Sequence, residues 1–293
     1  MICRLLASVG AVALAGTAFA ADLPSRAPPP VYVLPPPTWT GFYAGLNAGG
    51  SWLANTGVGT ATVNSFDNTV IHVDGEGPGS AISQTGIANV PAGGVIGGGQ
   101  IGYNYQFTSN FLVGIEADIQ GLGVHGHGSV TRLGQEVGDI DVPPDDQTLS
   151  TIGSEKSVNW LGTVRGRLGW VATPTLLVYG DGGLAYGGVK SATQISSIWT
   201  FPQTDVFDEQ WGPGFGGFSG TKVGWTAGGG VEWMFMPNWS LKVEYLYFDL
   251  GANTETITNV GTNIRYRFDN DLTANSVKFG VNYSFTPAYE PLK

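Results

Sequence analysis

Cysteine is nearly missing from this 293-residue chain, and the single one, Cys3, lies at its very start. A mature form without it has no disulfide and no thiol nucleophile. Charge is also scarce: Asp, Glu, Lys and Arg make up 12% of residues, with 13 basic against 23 acidic, a net charge of −10. That sign excludes a nucleic-acid partner, whose phosphates such a surface repels. Long apolar runs are wanting too. Only residues 5–18 approach one, and they fall short of the ~20 residues a membrane-spanning helix needs. The 46 glycines have no three-residue period, which excludes collagen, and aromatics at 12% disfavour disorder.

What is present begins with Arg4, the apolar run of residues 5–18, and Ala18-Phe19-Ala20. This reads as a secretory signal over residues 1–20, cleaved before Ala21. Cys3 lies inside it and away from the cleavage point, so it is no lipid acceptor. Residues 21–38 carry Pro24, Pro28, Pro29, Pro30, Pro35, Pro36 and Pro37. Such a stretch lacks amide donors and favours polyproline II, so it is expected to be a semi-rigid periplasmic linker; docking on a partner such as peptidoglycan is the alternative.

From residue 39 the pattern has a period of two. In residues 275–285, Val277, Phe279, Val281, Tyr283 and Phe285 alternate with Ser276, Lys278, Gly280, Asn282 and Ser284. Successive side chains of a strand point to opposite faces, so one face is greasy and the other wet. Similar alternation marks eight strands, at about 40–52, 94–107, 111–121, 158–171, 176–188, 221–236, 239–250 and 272–285. The fifth is ambiguous, because Tyr179 shares parity with Asp181. Short links, such as residues 108–110, Thr173-Pro174 and Pro237-Asn238, alternate with long ones rich in Gly, Ser, Thr and Asp. Strict alternation of short and long links predicts an all-β fold: an eight-stranded antiparallel outer-membrane barrel over residues 39–285, with short periplasmic turns and long extracellular loops. Residues 286–293 form a C-terminal tail. A mean hydropathy of +0.05 suits strands with one wet face.

An eight-stranded barrel is just wide enough for its interior to be filled by side chains. Strand parity sends Glu116, Asp118, Asp181, Glu232 and Glu244 inward, together with Arg165, Arg167, Lys222, Lys242 and Lys278. These five acids and five bases are expected to pair across the lumen, since unpaired charge in so narrow a space is costly. Inward glycines leave room for the long side chains. Trp39, Phe107, Phe111, Trp170, Trp233, Phe235, Trp239, Tyr245 and Tyr247 cluster near strand ends, as an aromatic girdle would. Val281 faces lipid in this reading, and a change at the inward Asn282 is expected to be mild.

The segments AADLPSRAPPP, WTGFYAGLNAGGSW, VGWTAGGGVEWMFMPNWSLKVEYLYFDLG and VKFGVNYSF resemble the outer-membrane immunogenic proteins of alphaproteobacteria, porin-family relatives of the OmpA-type barrel. The resemblance covers the first strand and the fifth to eighth. It implies a surface-exposed barrel with a structural or interaction role and no established catalysis. One departure is that the residue 286–293 tail follows Phe285, whereas barrel-assembly machinery usually reads a terminal aromatic.

Catalytic chemistry finds little footing. His72, His125 and His127 fall in expected loops; Ser129 lies near His127, but no orienting acid accompanies it. His125-Gly126-His127 lacks a third metal ligand, and more often such residues are merely solvated. The glycine run of residues 93–102 precedes no helix, which a phosphate-binding loop requires. Residues 141–146 (DVPPDD) read as a solvated acidic loop. No cofactor is expected. The leading function is a non-enzymatic outer-membrane barrel supporting envelope integrity and presenting loops for interaction, with outer-membrane lipid and lipopolysaccharide as surroundings and a host or surface ligand as a further partner. A small-solute porin-like channel is the alternative; a soluble secreted sandwich is a third class, separable by extraction with salt alone.

Overall fold

The computed structural model describes residues 38–63, 85–135, 147–200, 210–258 and 265–285. The signal, the proline-rich linker apart from Thr38, His72, residues 141–146 and the tail lie outside them. The described elements are β1 (Gly41–Leu53), β2 (Gly57–Val63), β3 (Gly86–Asn89), β4 (Ala92–Gln106), β5 (Phe111–Gln135), β6 (Gln147–Thr173), β7 (Leu176–Thr200), β8 (Gln210–Met236), β9 (Trp239–Thr258) and β10 (Arg265–Ser284). All pairings are antiparallel. The sheet runs β1-β4-β5-β6-β7-β8-β9-β10 and closes through a β1–β10 pairing that sets Leu46 against Val281. Ten strand segments are therefore described, and eight of them form the closed circuit. Closure is what hydrocarbon demands, because a free sheet edge there leaves backbone donors and acceptors without partners.

The two additional segments continue strands of the circuit. β2 follows β1 after a break at residues 54–56 and pairs with the outer half of β10, while β3 pairs with β2 and precedes β4. Strands β5 to β8 run 25 to 27 residues, far more than the ~9–11 needed to cross a bilayer. Sequence alternation located their membrane halves but not this outer extension, where small and polar residues blur the period. As a result His125 and His127, expected in a loop, stand on β5. Above Trp225 and Asp249, β8 pairs only with β7 and β9 only with β10 among the described residues. Gly251 sits where β9 leaves β8. Its φ of 78° is a left-handed value that suits glycine, and its N–H donates to Asp249 Oδ1 at 2.7 Å.

The outer face carries an apolar band. Leu46, Ile101, Ile119, Leu168, Leu184, Val223 and Phe279 are all at least 60% exposed, an arrangement that water would penalise and acyl chains favour. Aromatic pairs stand at both ends of the band: Trp239–Tyr283 at the short-turn end, Trp160–Tyr186 and Trp225–Tyr247 at the other. Trp39 departs from the expected girdle. It is 7% exposed and packs inside with Leu112, Val171, Leu177, Tyr179 and Met234, at the short-turn end of the barrel.

The interior is layered. That periplasmic apolar cluster forms one layer. Farther out along the strands, Leu53, Ile96, Leu122, Val124, Val158, Leu161, Phe248 and Leu250 belong to a second. Ala88, Ile152, Ile195 and Phe268 make a third near the outer tip. Between the first two lies the polar layer.

Candidate functional site

Arg165 on β6 is at the centre of that polar layer and is fully buried. Its Nη1 lies 2.5 Å from Asp181 Oδ2 and 2.8 Å from Glu244 Oε1; its Nη2 lies 2.6 Å from Glu116 Oε1 and 2.7 Å from Asp118 Oδ2. One planar guanidinium thus holds carboxylates from β5, β7 and β9. Its rigid fork of donors suits this, where a lysine ammonium offers only a point charge. Arg167, two residues on and so on the same face, reaches Glu232 Oε2 at 2.5 Å. Its guanidinium lies 3.5 Å from the centroid of the Tyr179 ring, a close cation–π contact.

The remaining cations complete the layer. Lys242 Nζ donates to Glu116 Oε1 at 2.8 Å. Lys278 Nζ lies 2.8 Å from Glu244 Oε2 and donates to Asp118 Oδ2 at 3.4 Å. Neutral donors take up two further carboxylate oxygens: the Tyr43 hydroxyl donates to Glu116 Oε2 at 2.7 Å, while Ser240 Oγ and Asn282 Nδ2 both donate to Glu232 Oε1, at 2.6 and 2.7 Å. Asp118 Oδ1 and Asp181 Oδ1 accept no hydrogen bond among the described residues. Gln100 Nε2 then donates to Asn282 Oδ1 at 2.6 Å, and Asn47 Nδ2 to Gln100 Oε1 at 2.7 Å. Every strand of the closed circuit, from β1 through β4 to β10, contributes to this connected set.

Of the ten charged residues assigned to the lumen from sequence, the structure brings together nine. Lys222 stands apart. Its Nζ donates to Asn253 Oδ1 at 3.0 Å and lies 4.6 Å from the ring centroid of Phe218, which packs against the second apolar layer. Parity rightly turns it inward; its distance along β8 takes it out of reach. The layer therefore holds five acids and four bases rather than a matched ten, and the Tyr, Ser and Asn donors offset part of the difference.

Sequence reading left out Tyr43, Tyr179, Asn47, Gln100, Ser240 and Asn282 as members. The signal for Tyr179 was its shared parity with Asp181, an aromatic on the wet face. Asn282 has both amide ends engaged and is 2% exposed, which argues against the mild change expected there.

Glycines make the room. A Cβ at Gly230 would lie 2.8 Å from the Tyr179 hydroxyl and closer still to the Val243 carbonyl. At the periplasmic end, a dip lined by Trp39, Tyr43, Glu232 and Asn282 among others has room for about 20 Å³, enough for one water at most.

On the outer extension, His125, His127, Glu155, Ser157 and Lys190 line a depression of about 610 Å³. The glycine run of residues 93–102 lies on β4, within the barrel wall. Among the described residues no three His, Cys, Asp or Glu side chains group to hold a metal ion.

Residues 6–285 match the family described as "Outer membrane protein beta-barrel domain". The chain is 36% identical over 288 residues to the 31 kDa outer-membrane immunogenic protein of Brucella melitensis, covering 96% of this chain and 98% of that one. It is 31% identical to the 22 kDa outer membrane protein of Rhizobium leguminosarum over 190 residues, 64% of this chain and 66% of the relative. Among solved structures, OprG of Pseudomonas aeruginosa is similar at a TM-score of 0.37 and 11% identity, covering 84% of this chain and 97% of OprG. Ail of Yersinia pestis gives 0.30 and 10%, covering 83% and 99%; both likenesses are too distant to bear on function. A closed antiparallel sheet with an apolar exterior and a charged interior, matched along nearly its whole length by an outer-membrane family, leaves one assignment: this chain belongs to the outer-membrane β-barrel proteins.

Proposed function

We propose that the protein is a non-catalytic, non-conducting barrel that reinforces the outer membrane and carries a rigid β extension beyond it for contact with the surroundings. The observation that carries this reading is the ionic layer spanned by all eight strands of the circuit and bounded by apolar layers. A buried set of charges with excellent geometry fixes register and shape even where its net contribution to stability is modest. A transport path needs mobile water and weakly held ions, whereas these carboxylates are each engaged at 2.5–2.8 Å.

Lipopolysaccharide is the natural neighbour of the apolar band and of the aromatic pairs at its outer end. The β extension is suited to contact with a host or surface ligand. The proline-rich linker is suited to the periplasmic side, where peptidoglycan lies. Cells lacking the protein should become more permeable to detergents and large antibiotics. Complementation by the full chain should restore the barrier, and so should a version in which β5–β8 are shortened beyond the row of Gly121, Trp160, Gly188 and Thr221. Failure of both to restore it, at normal surface abundance, refutes a structural role in the envelope.

A further inference from the structure

The depression on β5–β8 has a definite height and a definite face. Lys156 sits between two of its lining residues, Glu155 and Ser157, and points inward: it is 2% exposed, and its Nζ donates to the carbonyls of Gly57 and Asp271 at 3.0 and 3.2 Å. Alternation along the strand therefore turns Glu155 and Ser157 outward, and the same holds for the exposed His125, His127 and Lys190. The hollow opens on the outer wall of the barrel, not into its lumen. Register shifts lie just below it, between Gly121 and Val124 on β5–β6 and between Val158 and Trp160 on β6–β7. Such irregularities bend strands and increase their twist, which accounts for a concave patch on an otherwise convex wall.

The height follows from the aromatic pair beneath. Trp160 and Tyr186 meet edge to face, with centroids 5.9 Å apart, at the outer end of the apolar band. Lys190 lies four residues farther along β7 than Tyr186. At ~3.4 Å per residue and a tilt of ~40°, that is roughly 10 Å above the pair. A polar headgroup layer is ~5–8 Å thick on each side of the ~30 Å hydrocarbon core. The hollow therefore begins at the outer edge of that layer, at the level that the sugars of a large glycolipid headgroup reach, and below the tip of the extension.

Its chemistry fits that layer. Lys190 makes no ion pair or hydrogen bond among the described residues, so its ammonium is available to an external anion. His125 and His127 are likewise unengaged, and Ser157 and Ser219 add hydroxyls. Glu155 is the one carboxylate. It can accept from a sugar hydroxyl, and its presence disfavours a bare phosphate as the whole ligand. Ala192 and Gly217 keep the wall low.

We propose that this hollow binds the phosphorylated sugar headgroup of the outer-leaflet glycolipid, lipopolysaccharide. Lys190 pairs with a phosphate, while the two histidines, the two serines and Glu155 hydrogen-bond to sugar hydroxyls. The site rests on the reading that this end of the barrel faces outward, and it gives the lipid partner of that reading a definite place.

The test uses the full chain folded into vesicles of phosphatidylethanolamine with purified lipopolysaccharide, with the same glycolipid stripped of phosphate, or with neither, followed by detergent extraction and mass measurement of retained glycolipid. The wild type should retain the intact form. Lys190→Glu should retain about tenfold less or lower still, as loss of a charged hydrogen bond implies. The paired change His125→Ala, His127→Ala should fall in between, and the dephosphorylated glycolipid should be held no better by wild type than by Lys190→Glu. All these side chains are exposed, so each variant should fold, which heat-dependent gel migration checks. Equal retention by wild type and both variants overturns the site. A chain that inserts into none of the vesicles overturns the outer-membrane reading itself, a distinguishable failure.

Discussion

Removing Arg165 is the sharpest perturbation of the interior. In Arg165→Met the side chain keeps an unbranched apolar stem and loses its guanidinium, and four carboxylates lose a partner at once. Three of them keep another cation: Glu116 keeps Lys242, Asp118 keeps Lys278, and Glu244 keeps Lys278 and Lys242. Asp181 keeps none among the described residues. Stranding one buried charge costs about 3–5 kcal/mol, so the loss should reach at least that range, the weakened trio adding to it. Unfolding by urea in lipid vesicles, followed by tryptophan fluorescence, reads this directly. With a slope of ~2 kcal/mol per molar, the midpoint should drop by roughly 2 M. A second change to Asp181→Leu on the Arg165→Met background should recover more than about 1 kcal/mol, because the stranded charge is gone. A loss under ~1 kcal/mol for Arg165→Met, or no recovery in the double variant, would refute the ionic-layer account.

Other expectations concern facing, space and pH. Val281→Arg, on the lipid side, should cost roughly 2–4 kcal/mol in the same titration, and Asn282→Ala about 1–3 kcal/mol because Gln100 and Glu232 each lose a buried partner; tolerance at both would mean the strand faces are misassigned. Gly230→Leu should block refolding or shift gel migration to the unfolded form, since its Cβ would already press on Tyr179 and Val243; normal folding would show that the lumen has slack. At the outer tip, hydrogen bonds from Thr254 and Arg267 hold the Asp269 carboxyl below its ordinary range. A depressed carboxyl contributes stability that is present above its unfolded value near 4 and lost as pH falls through the folded one. Asp269 is largely exposed, so the effect should be well under ~1 kcal/mol. The amide protection factor at residues 253–254, taken relative to the intrinsic exchange rate at each pH, should fall modestly on acidification below about 4, and Asp269→Asn should abolish that change.

Much of this architecture was legible because a period of two is hard to mistake where large apolar residues carry it. Val277, Phe279 and Val281 fix the facing of β10, and Phe111 to Ile119 that of β5. Where the outward residues are small or polar, as at Ser129, Thr131 and Gly153, the alternation fades, and the outer halves of β5 to β8 read as loops. The interior charges were visible through parity, which assigns a face and gives no height. Lys222 shows the limit: it faces inward, several residues too far out to meet Arg165. Tyr43 and Tyr179 were hidden by the habit of assigning aromatics to lipid. Their hydroxyls and ring faces are what a guanidinium and a carboxylate need in a dry layer, and shared parity with Asn47 and Asp181 was the available clue.

Current through a planar bilayer at fixed voltage puts the sealed interior to trial most directly. Folded wild-type protein, inserted at known copy number, should pass no steady current above the lipid background, and Arg165→Met should raise it if the barrel stays inserted. Stable, uniform openings from the wild type would contradict the stacked apolar and ionic layers described for the lumen.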